Sequence, residues 1–263
     1  MDSAQPPLTR RQNEIVARLR QTGRVAVDEL ATLFDVSPQT IRRDLNEMSE
    51  ARVITRVHGG AIVASSVENL AYDARKLVAQ SYKKLIGEAA ARMIPDHCSL
   101  FINLGTTTEE VAHALADRRG LRVITNNLNV AVELYRNPAI EVIIAGGNIR
   151  SSDGGIIGAT AADLIRQFRV DTAVIGISAI DRDGTLLDFD TREVHVSRAI
   201  IENARRVILV TDSSKFSRTA SARIASLSEV DVLVTDRLPS EAAAALCHAH
   251  DVEVVEAGGP MEE

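Results

Sequence analysis

The chain has 263 residues, 45% of them hydrophobic, 25% charged and 3% aromatic. That is enough apolar material for one large or two smaller globular domains, and no run approaches the roughly 20 apolar residues that a membrane-spanning helix needs. The net charge of −6 excludes a uniformly basic surface: residues 1–60 carry 9 Lys+Arg against 8 Asp+Glu, and the remainder carries 21 against 28, so any attraction to nucleic acid must be local.

Residues 1–7 have neither the basic start nor the apolar centre of a signal peptide and read as a disordered lead. Residues 8–20 read as a first helix with Leu8, Ile15 and Leu19 inward. Residues 28–34 form a second, with Asp28 and Glu29 in the first turn, where the helix dipole favours acids. After a tight connection at Asp35-Val36, the stretch from Ser37 to Glu47 reads as a helix with two faces. Ser37 is suited to cap it and Pro38 to open it. Ile41, Leu45 and Met48 make an apolar stripe. Gln39, Thr40, Arg42, Arg43 and Asn46 are left outside, and such side chains reach phosphates or base edges in a DNA major groove. Two short helices, a short turn and a basic second helix are the pattern of a helix-turn-helix; the plain alternative is a structural hairpin with a solvated basic face. Residues 52–62 then read as two short strands forming a wing, with Arg52, Arg56 and His58 along the DNA backbone. The local positive charge is expected from Arg10, Arg11, Arg42, Arg43, Arg52 and Arg56.

Small polar residues mark 63–78 as a linker, although 72–93 also has a largely helical composition. From residue 99 apolar runs alternate with amphipathic segments. The strand candidates are 99–104, 121–125, 141–145, 172–177, 206–211, 231–235 and 252–255; the helix candidates are 108–116, 128–136, 159–168, 191–204 and 240–248. This alternation predicts a largely parallel α/β sheet covered on both faces, over a domain spanning 79–257 with a tail at 258–263. Cys98 and Cys247 have no metal-like spacing and read as free thiols.

Ligands of open α/β sheets bind beyond the carboxyl ends of the strands. Three polar motifs fall at such ends. Gly105-Thr106-Thr107-Thr108 closes one strand and opens a helix whose first N–H groups and hydroxyls can surround an anion. Thr125-Asn126-Asn127 closes the next and suits hydroxyls or phosphate, with an ordinary helix cap as the alternative. Ala145-Gly146-Gly147 closes a third and leaves room for a ligand. Lys215, after another strand, is the candidate cation opposite a phosphate. Residues 150–155 read as a lid or a plain surface loop. Asp188, Asp190 and Glu193 read as binders of ligand hydroxyls or as a solvated acidic loop. No metal and no cofactor is expected.

The run from Val36 to Glu47, followed by Arg56-Val57-His58-Gly59-Gly60-Ala61, resembles the N-terminal domain of DeoR-type bacterial repressors. The stretches Arg122-Val123-Ile124-Thr125-Asn126-Asn127-Leu128-Asn129-Val130-Ala131, Asp153-Gly154-Gly155-Ile156-Ile157-Gly158, Arg198-Ala199-Ile200-Ile201-Glu202-Asn203-Ala204 and Ser214-Lys215-Phe216 extend the resemblance over nearly the whole chain, and narrow it to family members that govern glycerol metabolism. It implies a winged helix-turn-helix domain (8–62) and a larger α/β sensor domain similar in fold to ribose-5-phosphate isomerase. It further implies a cytoplasmic repressor that binds operator DNA as a homo-oligomer, released by glycerol 3-phosphate or a similar small phosphorylated polyol. The rival readings are a repressor sensing another sugar phosphate and an isomerase. The isomerase needs a positioned carboxylate base, and its nearest counterpart is Asp181, the only acid in the stretch 175–181.

Overall fold

The computed structural model describes residues 8–22, 24–51, 53–57, 60–63, 72–77 and 79–258. The chain splits into two compact units, Met1–Val78 and Ala79–Glu263. Among the described residues no helix is long and apolar enough to cross a membrane.

The first unit runs α1 (Arg10–Thr22), β1 (Arg24–Ala26), α2 (Val27–Leu33), α3 (Pro38–Glu50), β2 (Ile54–Val57) and β3 (Gly60–Val63), followed by α4 (Tyr72–Leu77). Ile15, Leu19, Leu30, Ile41, Leu45 and Met48 form its core with Val25, Val53, Ile54 and Ala61. Each of the large side chains contributes roughly 1.5–3 kcal/mol by leaving water. The strands form an antiparallel sheet in the order β1-β3-β2. The three-residue β1 was not expected; it exists only through its pairing with β3, Arg24 opposite Ile62. Arg11 corrects an expectation. It does not face outward toward DNA but donates to the buried Asp44 carboxylate at 2.6 and 3.2 Å, tying α1 to α3. Gln12 donates to Glu47 beside it at 2.9 Å.

The second unit opens with α5 (Gln80–Arg92). The largely helical stretch expected over 72–93 forms two helices, α4 ending at Leu77 and α5 beginning after Ala79, which takes φ +57°. There follow β4 (Ser99–Ile102), α6 (Thr106–Leu115), β5 (Leu121–Thr125), α7 (Leu128–Leu134), β6 (Ile140–Ile144), β7 (Asn148–Arg150), β8 (Gly155–Ile157), α8 (Ala159–Ile165), β9 (Val170–Ile175), β10 (Ala179–Ile180), β11 (Thr185–Asp188), α9 (Thr191–Glu202), β12 (Ala204–Val210), β13 (Ala222–Ser226), β14 (Val232–Thr235), α10 (Glu241–Ala249) and β15 (Glu253–Glu256). Seven strands pair in parallel in the order β15-β14-β12-β9-β4-β5-β6. Their side chains alternate between two cores. Leu100, Ile102, Val123, Val174, Ile208 and Val234 pack with α5, α6 and α7. Phe101, Ile124, Ala173, Ile175, Leu209 and Leu233 pack with α8, α9 and α10. A sheet buried on both faces needs such strands. The chain lays down β4, β5 and β6 in one direction, then returns to build β9, β12, β14 and β15 in the other, so the sheet reverses between β4 and β9. The antiparallel sheet β10-β11-β13 and the hairpin β7-β8 were not foreseen; both are built from two- to five-residue strands.

Candidate nucleic-acid interface and candidate ligand crevice

Helix α3 is built as expected. The Ser37 hydroxyl accepts from the Thr40 N–H at 3.2 Å and lies 2.9 Å from the Thr40 hydroxyl; both hydroxyls thus serve the helix start, and Thr40 is half-buried. Ile41, Leu45 and Met48 are 0% exposed. Asp35, at φ +49°, makes the turn from α2 in a conformation that Asp tolerates. Gln39, Arg42, Arg43 and Asn46 are all exposed. They stand at i, i+3, i+4 and i+7, a single stripe along one side of the helix. Arg43 donates to Glu47 at 3.0 Å, with 82% of its side chain exposed. Such a pair holds by under about 1 kcal/mol, so an incoming phosphate displaces it easily. Arg56 stands in β2 opposite Ala61; its side chain, Arg52 and His58 lie outside what the structure describes.

In the second unit the sheet reverses direction between β4 and β9, where the crevice of an open α/β sheet lies. Asn103, 1% exposed, braces this point: its amide accepts from the Gly176 N–H at 2.8 Å and donates to the Gly176 carbonyl at 3.1 Å and the Ser197 hydroxyl at 3.3 Å. Sequence reading missed Asn103; a lone Asn directly after an apolar strand was the available signal. Gly105, at φ +153°, then turns the chain into α6. Thr108 is fully buried and its hydroxyl donates to the carbonyls of Asn103 and Gly105 at 2.9 and 2.8 Å, so it supports the turn. The hydroxyls of Thr106 and Thr107 have no hydrogen-bond partner among the described residues. With the unpaired N–H groups of the first helical turn they form a set of donors at the positive end of α6.

The end of β5 lies beside them. Asn127 caps α7, its carbonyl oxygen accepting from Asn129 and Val130 at 2.9 and 3.5 Å and its amide nitrogen donating to Glu109 at 3.2 Å. Both ends of that side chain are engaged in support. Asn126 is 1% exposed; its Nδ2 donates to the Ile156 carbonyl at 3.1 Å, while its Oδ1 is buried with no partner among the described residues. Gly146 and Gly147 are exposed beyond β6, the edge strand, two strands from β4. Lys215 is half-buried in the 3-10 turn Ser213–Ser217 after β12, two strands from β4 on the other side. Asp212 caps that turn and Asp236 accepts from Ser213 at 2.6 and 2.9 Å.

The segment 150–155 and the acids at 188–193 form a different structure from the one expected. Arg150 donates to Asp153 at 2.8 and 2.6 Å, to Asp190 at 2.8 Å and to Glu193 at 2.7 Å, tying the β7-β8 hairpin to the start of α9. Burial lowers the pKa of this guanidinium, but the hydrogen bonds and charges of Asp153 and Glu193 more than offset it and hold the pKa above its usual value. Asp190 also caps α9, and the hydrogen bond from Arg192 leads the causes that lower its carboxyl to about 2. Asp190 and Glu193 hold an arginine, and Asp188 is buried, accepting from Ser178 and from the Phe189 N–H. Among the described residues no group of three or more His, Cys, Asp or Glu could hold a metal. The two thiols are free, and burial raises the pKa of both.

A family model described as the DeoR-like helix-turn-helix domain matches residues 11–67, and one described as the DeoR C terminal sensor domain matches residues 78–237. The chain is 47% identical to the glycerol-3-phosphate regulon repressor of Escherichia coli strain K12 over 246 residues, which cover 94% of this chain and 98% of that protein. It is 42% identical to the HTH-type transcriptional repressor CsqR of the same organism over 245 residues, covering 93% of this chain and 94% of that one. A solved ribose 5-phosphate isomerase from Methanocaldococcus jannaschii aligns with a TM-score of 0.40 at 13% identity, over 52% of this chain and 55% of that chain.

Proposed function

The chain belongs to the DeoR family of helix-turn-helix transcriptional repressors, and on that premise we propose that it represses genes of glycerol 3-phosphate metabolism and leaves its operator when glycerol 3-phosphate binds the second unit. The observation that carries this reading is the donor set at the start of α6, at the point where the sheet reverses. A phosphomonoester is mostly dianionic near neutral pH, since its second pKa is about 6. The N–H groups of the first turn and the hydroxyls of Thr106 and Thr107 offer it donors, and Lys215 offers a cation. Glycerol lacks the charge and binds poorly. Gly105 lets the backbone approach, while Thr108, Asn103 and Asn127 hold the frame; Gly146 and Gly147 serve the turn into the hairpin rather than the phosphate.

The α3 stripe of Gln39, Arg42, Arg43 and Asn46 reads the operator, with Ser37 and Thr40 at the helix start and Arg56 and His58 on the wing. One such unit buries too little surface for specific affinity, so the chain works as a dimer or larger homo-oligomer, in the cytoplasm where its DNA is. As a repressor it is not an enzyme. Asp181, the nearest counterpart of an isomerase base, sits exposed in the β10-β11 turn, its carboxylate accepting from the next residue's N–H. The chain is nearly as similar to a repressor of another name, 42% identical against 47%, so a second reading stays in view, a different sugar phosphate as effector. Operator-bound protein titrated with glycerol 3-phosphate, ribose 5-phosphate and fructose 6-phosphate separates them. Release by glycerol 3-phosphate at the lowest concentration is the expected result, and release by another phosphate at lower concentration would transfer the assignment to it.

A further inference from the structure

We infer that Asn126 determines effector specificity by accepting a hydrogen bond from a hydroxyl of the phosphorylated effector, so that a phosphate ester without that hydroxyl is rejected. The inference rests on the proposal that a small phosphorylated polyol occupies the crevice, and adds which end of it goes where.

The orientation of the Asn126 amide is fixed by its surroundings. Its side-chain nitrogen donates to the Ile156 main-chain carbonyl at 3.1 Å, beside the main-chain bond from the Ile156 N–H to the Asn126 main-chain carbonyl at 2.8 Å. Turning the amide over would set two oxygens against each other, so the atom left over is the acceptor Oδ1 and not the donor. That oxygen is buried and finds no partner among the described residues, an arrangement that is unfavourable until a donor arrives. A phosphate dianion brings only acceptors and cannot supply it; a hydroxyl can. The donor set for the phosphate stands at the end of β4, and Asn126 follows the end of β5, the adjacent strand. Neighbouring strands lie about 4.8 Å apart, a separation that the three-carbon chain of a polyol phosphate spans. The phosphate then lies over the start of α6 and the hydroxyl end points toward β5. Thr211 carries another unpartnered buried oxygen, but at the end of β12, three strand spacings from β5, or roughly 14 Å, on the phosphate side and away from the hydroxyl end.

The test uses the full-length protein and calorimetric binding of glycerol 3-phosphate, of 3-hydroxypropyl phosphate and 2-hydroxypropyl phosphate, each lacking one hydroxyl, and of propyl phosphate, which lacks both. The parent protein is expected to bind propyl phosphate and one of the two monohydroxy esters roughly tenfold to a hundredfold more weakly than glycerol 3-phosphate. In Asn126→Ala glycerol 3-phosphate weakens to the level of that ester, so their ratio collapses toward one. A purely structural role would weaken all four ligands together and keep the ratio, and that result overturns the inference. If Asn126→Ala does not fold, the parent decides alone: binding of all four within threefold overturns it. Tight binding of glycerol 3-phosphate with either overturning result leaves the effector assignment standing, whereas no binding of glycerol 3-phosphate removes that assignment and this inference with it.

Discussion

At the scale of single residues, the proposed DNA contact is assigned to side chains that the fold itself does not need. Arg42 and Arg43 lie on the exposed side of α3, opposite Ile41, Leu45 and Met48. Arg42→Ala and Arg43→Ala are each expected to weaken operator binding by roughly 1–3 kcal/mol where the side chain reads a base, with the melting temperature unchanged. A phosphate contact instead weakens all sequences alike and flattens the salt dependence. Anisotropy titrations at several salt concentrations check this; parent-like binding by both variants would remove α3 as the recognition helix. On the effector side, Lys215→Ala is expected to bind operator normally and resist release by glycerol 3-phosphate, and Thr107→Ala to do so more mildly. An unchanged release curve for Lys215→Ala would take Lys215 out of the site.

At the scale of elements, helix-to-helix approach and the hairpin latch both make predictions. Gly87 on α5 lies so close to α6 that an added Cβ would stand 2.7 Å from the Glu110 carbonyl carbon. Alanine gains about 1 kcal/mol of helix propensity there, but overpacking against backbone costs about 1–3 kcal/mol. Gly87→Ala is therefore expected to lose stability in denaturant unfolding, and a gain would mean that the helices yield. The latch of Arg150 on Asp153, Asp190 and Glu193 depends on pH. Asp190 is held at about 2, below the ordinary Asp value of about 3.9. A depressed pKa contributes stability that is present above the unfolded value and lost as pH falls through the folded one. The melting temperature is expected to fall between about pH 4 and pH 2, and less steeply in Asp190→Asn, which keeps a side chain able to cap α9. Identical slopes in both proteins would show that Asp190, whose pKa is lowered chiefly by Arg192 and least by Arg150, carries none of that stability.

The elements that were legible in the sequence are those whose signal is local. α3 announced itself by a cap, a proline and a stripe, and β12 by the unbroken apolar run Val207-Ile208-Leu209-Val210. The strands β1, β7, β8, β10, β11 and β13 have two to five residues each, too few to show a period, and the pairings of β1 with β3 and of β11 with β13 join residues far apart in the chain. The same holds for the site. The start of α6 was legible from Gly105 and the threonines after it, whereas the Asn103 brace depends on Gly176 and Ser197, 73 and 94 residues on, which no local pattern reveals. Arg150 likewise reaches Asp190 and Glu193 across about forty residues, and those acids looked like ligand contacts only while their arginine was unknown.

At the scale of the whole molecule, the account requires that two units communicate. A ligand shifts an equilibrium only by its differential affinity for the two states, so occupancy of the crevice releases DNA only if glycerol 3-phosphate binds the released state more tightly. Linkage then makes the effect reciprocal: operator must weaken effector binding by the same factor by which effector weakens operator binding. The segment 63–84 joins the units in sequence and is where we place the mechanical connection. The most direct measurement is the affinity for glycerol 3-phosphate by calorimetry, taken with the protein free and again saturated with operator, with glycerol as the control. Glycerol 3-phosphate is expected to bind more weakly on operator, by the factor read independently from operator release, and glycerol not to bind comparably. Equal affinity in the two states, or glycerol binding as well as its phosphate, would contradict the proposed coupling.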